Sequence, residues 1–145
     1  MKWEEYAIED LRKYKYLKGS LENIRERIKV LELKYQSVKY ATVDKVPVKG
    51  GSSRIEEYML DNIVERQRLE YLYEANKKLV ELIEKGLKKL NEKEYLILEK
   101  FYIDRPKKHI EFLSEKLGIE QAQIYRLRKE ALYKFTVNMY GIVEY

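Results

Sequence analysis

Apolar residues recur at alternating spacings of three and four over most of the chain, a periodicity that predicts long amphipathic helices rather than strands. From Trp3 to about Tyr40 the positions Leu21, Ile24, Ile28, Leu31, Tyr35 and Val38 form one seam, which must meet another helix. Gly19-Ser20 interrupts the preceding series of Leu11, Tyr14 and Leu17, so a bend or short helix break is expected there, since glycine costs propensity and serine can cap. The stretch ATVDKVPVKGGSSR holds Pro47, Gly50, Gly51 and two serines, which predicts an exposed linker near residues 41–53. Thr42-Val43 and Val46-Val48 offer a short extended piece as the alternative. Ser52 or Ser53 can cap a second helix, with Ser53-x-x-Glu56 as a capping box, running from about Arg54 towards Gly86 or Lys89. Leu69, Leu72, Asn76, Leu79 and Ile83 give it a stripe in which Asn76 is a candidate register-setting position. Residues 1–89 are therefore expected to form a helical hairpin, and the same stripes can alternatively serve a homodimer.

Three shorter segments follow. Asn91 caps EKEYLILEKFYI, where Tyr95, Leu98 and Tyr102 share a face that Leu96, Ile97 and Phe101 widen. Asp104-Arg105-Pro106 turns the chain into HIEFLSEKLG, with Ile110, Leu113 and Leu117 inward and Gly118 as its end. The last helix begins near Glu120 and buries Ile124, Leu127, Ala131 and Leu132. Helix, helix, tight glycine turn, helix over residues 90–140 is the order of a helix-turn-helix module, whose last helix can enter a DNA major groove. The expected fold class is all-α: a long hairpin followed by a trihelical C-terminal domain.

Composition removes several kinds of chemistry. Among 145 residues there is no cysteine and one histidine, His109. A disulfide framework, a thiolate metal cluster and a thiol nucleophile are thus excluded, and a zinc site has no support. The serines, at positions 20, 37, 52, 53 and 114, lie in no Gly-x-Ser-x-Gly elbow, and Gly50-Gly51 lacks the lysine-hydroxyl ending of a phosphate loop. Asp10, Asp44, Asp61 and Asp104 are dispersed, and most glutamates sit at helical spacing beside lysine or arginine, as surface balance does; a two-metal nuclease is the residual enzymatic reading. No enzyme, cofactor or metal is expected. The start MKWEEYAIEDLRKYKY carries charge throughout and lacks the apolar run of a secretory signal or membrane span, so a soluble, cytoplasmic protein without a membrane partner is expected. Net charge is +5, but residues 90 to 145 hold ten basic and nine acidic side chains, so only a local basic face, not global charge, argues for a polyanion partner.

The segments LNEKEYLILEKFYIDRP, IEFLSEKLGI and EQAQIYRLRKEAL resemble the DNA-binding helix-turn-helix of sigma-70 region 4 over about the last third of the chain. The whole arrangement, with YATVDKVPVKGGSS before another long helix, resembles small phage-encoded transcriptional regulators of the RinA/ArpU-like type. The resemblance implies a phage or prophage regulator that binds promoter double-stranded DNA and contacts host RNA polymerase. It places Leu117-Gly118-Ile119 at the helix-to-helix turn and Ile124 at the apolar position early in the recognition helix. Two positions depart from the pattern: Ser114 stands where alanine is usual, and Phe112 where an acidic residue is common.

Candidate DNA-contacting residues on the last helix are Gln121, Gln123, Tyr125, Arg126, Lys129 and Glu130, with Arg128 and Lys134 nearer the sugar-phosphate backbone. Glutamine and arginine can pair with base edges, whereas lysine neutralises phosphate. Tyr125 can stack on sugar, pack under Arg126 or cover the helix junction. Lys107, Lys108 and His109, before the middle helix, are candidate phosphate contacts. Trp3, Tyr6, Tyr14, Tyr16, Tyr35 and Tyr40 suit either internal packing or a homomeric interface. Two rival functions share this pattern: a small-terminase-like DNA-packaging adapter whose long helices build a ring, and a structural module whose trihelical unit binds protein.

Overall fold

The computed structural model describes residues 2–43 and 51–141, and among them all regular structure is helical. Helix α1 spans Lys2–Val43, α2 Gly51–Lys88, α3 Glu92–Leu98, α4 His109–Leu117 and α5 Gln121–Tyr140. A π-helical turn, Glu99–Ile103, continues α3. The expected linker is narrower than 41–53, because α1 runs through Thr42-Val43 and α2 begins at Gly51. Pro47, Gly50 and the extended alternative at Val46-Val48 lie outside the described residues. Ser52 and Ser53 are helical positions rather than caps. Gly19-Ser20 does not break α1. A single glycine costs a helix about 1 kcal/mol, which seams packed on either side of it outweigh.

The helices sort into two compact units, and the division differs from the expected domain boundary at 89/90. One unit takes the residues through Leu17 together with those from Lys78 onward; the other is Lys18–Lys77. The reason is where the apolar side chains go. Ala7 and Leu11 of α1 and Ile83 and Leu87 of α2 are buried in one core with Ile97, Leu98, Phe101, Tyr102, Leu113, Ile124, Ala131, Leu132 and Phe135. The ends of the long helices therefore complete the C-terminal core. Gly86 lets α2 approach α5: a Cβ there would stand 2.8 Å from Phe135 Cε2, too close for any other residue without repacking. Trp3 lies against Tyr140 at 5.4 Å between ring centroids, Asp10 accepts a hydrogen bond from the Tyr140 hydroxyl, and Glu84 accepts one from Tyr14 at 2.8 Å.

Within Lys18–Lys77, α1 and α2 pair antiparallel. Ser20 meets Asn76, Arg25 meets Tyr73 and Leu31 meets Asn62, so contacts climb one helix as they descend the other. Its core is slim: Ile24, Leu31 and Leu69 are buried, with Ile28 and Tyr73 packed against them. Leu72, expected inward, is 40% exposed, and Tyr73 takes its place. Asn76 donates to Ser20 Oγ at 3.2 Å, but the most buried polar group of the pair is Asn62. Its Nδ2 donates to the Leu31 carbonyl at 2.9 Å and its Oδ1 accepts from Arg66 Nε at 2.8 Å, while the Arg66 guanidinium lies 5.0 Å from the Tyr35 ring centre. A buried amide satisfied in one register penalises every other register, since sliding the helices would strand it without partners. Tyr14 and Tyr35 thus pack internally, whereas Tyr16 and Tyr40 are exposed. No helix among the described residues is long and apolar enough to cross a membrane.

Candidate nucleic-acid interface

Asn91 opens the C-terminal helices with a complete capping box: its side chain accepts from Glu94 N at 2.8 Å, and Glu94 Oε1 accepts from Asn91 N at 3.0 Å. Burial pushes the Glu94 carboxyl up, but the Asn91 N–H and the Lys134 ammonium at 3.0 Å outweigh it and hold the group below the usual carboxylate range. After α3 the π-helical turn brings Phe101 and Tyr102 into the core side by side, with ring centroids 5.9 Å apart. Asp104 ends the turn, and α4 starts at His109.

The connection from α4 to α5 runs through Leu117-Gly118-Ile119. Gly118 closes α4 in the left-handed conformation, φ 67° and ψ 36°, where a side chain would be strained. Its N–H and that of Ile119 both donate to the Ser114 carbonyl, at 2.9 and 3.2 Å. Ser114, one of the two departures from the sigma-like pattern, adds a bond of its own, its hydroxyl donating to the Ile119 carbonyl at 2.5 Å. The other departure, Phe112, is surface-exposed with the Lys100 ammonium 5.6 Å from its ring centre. Glu120 then stands as N-cap of α5 without a side-chain capping bond, leaving the first N–H groups of that helix without a side-chain acceptor from this residue.

On α5 the buried positions Ile124, Ala131, Leu132 and Phe135 define the inward face. Arg126, Lys129 and Glu130, three and four residues apart, are exposed on the opposite face, and Gln121 is exposed at its first position. Neither Arg126 nor Lys129 makes an ion pair among the described residues. Gln123 is half-buried. Tyr125 is 49% exposed and lies edge-on to Phe101, with 6.2 Å between ring centroids.

Three of the candidates have partners within the protein. Arg128 is half-buried, with its guanidinium 5.5 Å from the Phe101 ring centre and Nη1 making a long 3.4 Å hydrogen bond to the Tyr102 hydroxyl. Lys134 is held by Glu94. At the start of α4, Lys107 and Lys108 are exposed, whereas His109 turns in, edge-on to Phe101 at 4.7 Å, and its Nδ1 accepts from Arg105 Nε at 3.3 Å. Burial, with the Arg105 guanidinium alongside, lowers the His109 pKa below the usual imidazole value. Lys108 has φ 55° and ψ 47°, a left-handed backbone carried by a residue with a full side chain.

The described residues contain no group of three or more histidine, aspartate or glutamate side chains placed to hold a metal ion. A groove lined by Tyr14, Glu81, Glu84, Lys85, Lys88 and Glu99 is mixed in charge. No family model, curated protein or solved structure matches the chain.

Proposed function

We propose that this chain is a non-enzymatic, sequence-selective DNA-binding regulator of phage type, acting in the cytoplasm on promoter DNA beside host RNA polymerase and reading the duplex through α5. The observation that carries the reading is the α4–Gly118–α5 turn with Arg126 and Lys129 exposed and without carboxylate partners on the outward face of the second helix. An arginine on that face can make paired hydrogen bonds to guanine, while lysines at the start of α4 neutralise phosphate and set the register. Lys108 adds support, because a strained backbone is retained most readily where its side chain has a task.

Selection from randomised duplex DNA with the intact protein, followed by footprinting of the enriched site, tests this. A reproducible site is expected. Arg126→Ala should weaken binding to it by roughly tenfold or more, corresponding to about 1–3 kcal/mol for a base-reading arginine, and relax the preference at one position. Lys129→Ala should weaken all sequences alike. No enriched sequence at any salt concentration, or footprints unchanged by both replacements with helicity intact, would overturn the assignment.

A further inference from the structure

Two guanidinium groups from separate parts of the sequence lie over the Phe101–Tyr102 aromatic pair, and a third borders the pair through His109. Arg12 of α1 has its Cζ 5.9 Å from the Tyr102 ring centre. Arg128 of α5 reaches the hydroxyl of the same tyrosine and lies over Phe101. Arg105 joins them through His109, which is itself edge-on to Phe101. Among the described residues none of the three makes an ion pair, and Arg128 Nε is buried without a hydrogen-bond partner. The carboxylates close by in sequence have other partners: Glu9 pairs with Lys13 at 2.6 Å, Asp10 accepts from Tyr140, and Asp104 lies 3.7 Å from Lys15.

Arginines placed around one aromatic pair without an ion-pair partner keep their charge uncompensated, since aromatic faces offset only part of it. Arginine is also the cation that sheds water most easily and matches phosphate oxygens with two parallel N–H bonds. The platform beneath them is the π-helical turn, a geometry common at functional sites. Tyr125, on the first turns of α5, touches the same Phe101, so the cluster adjoins the reading helix where a backbone strand passes once that helix lies in a groove.

We infer that Arg12, Arg105 and Arg128 form a phosphate clamp for the duplex backbone, with α1 supplying a contact from outside the helix-turn-helix. This rests on the DNA-binding reading above. Its sequence-blind chemistry makes it separable from base readout.

The test measures binding of the full chain to two fluorescein-labelled duplexes, the enriched site and one of mixed sequence, across a salt series. Arg12→Gln should weaken both duplexes by about five- to tenfold, leave the selected sequence unchanged, and lower the slope of log affinity against log salt by about one. Arg12→Lys should keep the slope, and Arg105→Gln should repeat the uniform loss. Ethylation interference should lose one phosphate position in Arg12→Gln. If the wild-type chain binds duplex but both glutamine variants match it in affinity and slope, the clamp is overturned and the DNA-binding reading stands. If the wild-type chain binds neither duplex even at low salt, both fall. Unchanged thermal melts of the two exposed-residue variants separate loss of contact from loss of fold.

Discussion

Lys108 is where local strain and proposed function meet, as the one non-glycine residue with positive φ among those described. The left-handed conformation costs a residue with a Cβ about 1–2 kcal/mol, and glycine escapes that cost while giving up roughly 0.5–1 kcal/mol of chain entropy. Lys108→Gly is accordingly expected to raise the melting temperature by a few degrees while weakening duplex binding severalfold through loss of the ammonium. A lower melting temperature would show that the surroundings relieve the strain, and unchanged binding would remove Lys108 from the interface. Exposure of Arg126 and Lys129 is legible in the sequence, because both lie opposite the apolar positions Ile124 and Ala131 on a 3.6-residue period. Arg128 is not: its partner Tyr102 stands 26 residues earlier, and no local pattern announces that an arginine will fold inward onto a distant ring. Asn62 escapes notice for the same reason, its acceptor Leu31 being 31 residues away.

Helix ends were more transparent than helix interiors. Asn91 and Gly118 act through their nearest neighbours, so their residue types alone locate the start of α3 and the end of α4. Asn91→Ala should cost about 1 kcal/mol, measured by chemical denaturation, since it frees the Glu94 N–H inside the capping box. No loss would mean that water replaces the cap freely. Glu94 adds a pH dependence of definite sign. Its folded pKa is depressed, so its contribution is present above the unfolded carboxylate value and disappears as pH falls through the folded one. The π-helical turn left no trace in the apolar pattern, because Ile97, Leu98, Phe101 and Tyr102 are pairs four apart that an α-helix would bury equally well. Ser53 shows the opposite failure: a good capping sequence falls inside a helix that starts at Gly51.

At the scale of the molecule, the two units have unequal cores. Among the described residues, one core cluster of thirteen buried apolar side chains holds the unit containing α3, α4 and α5, against a cluster of three in Lys18–Lys77. Burial stabilises by about 1.5–3 kcal/mol for each large apolar side chain, so the slimmer unit should open more readily. Hydrogen exchange is expected to show amides at 24–35 and 62–73 exchanging at least tenfold faster than those at 97–102 and 124–135; equal protection would mean that the chain opens only as a whole. The all-α class followed from periodicity, but the unit boundary did not, because Ala7 and Leu11 find their partners beyond Lys78. That arrangement orders events during synthesis. Ala7 and Leu11 leave the ribosome before any of the helices that cover them, and their place in the core is filled only when α5, made last, has emerged. Helix α5 and the N-terminal turns of α1 are thus settled together, and their common core is complete only once translation has passed Phe135.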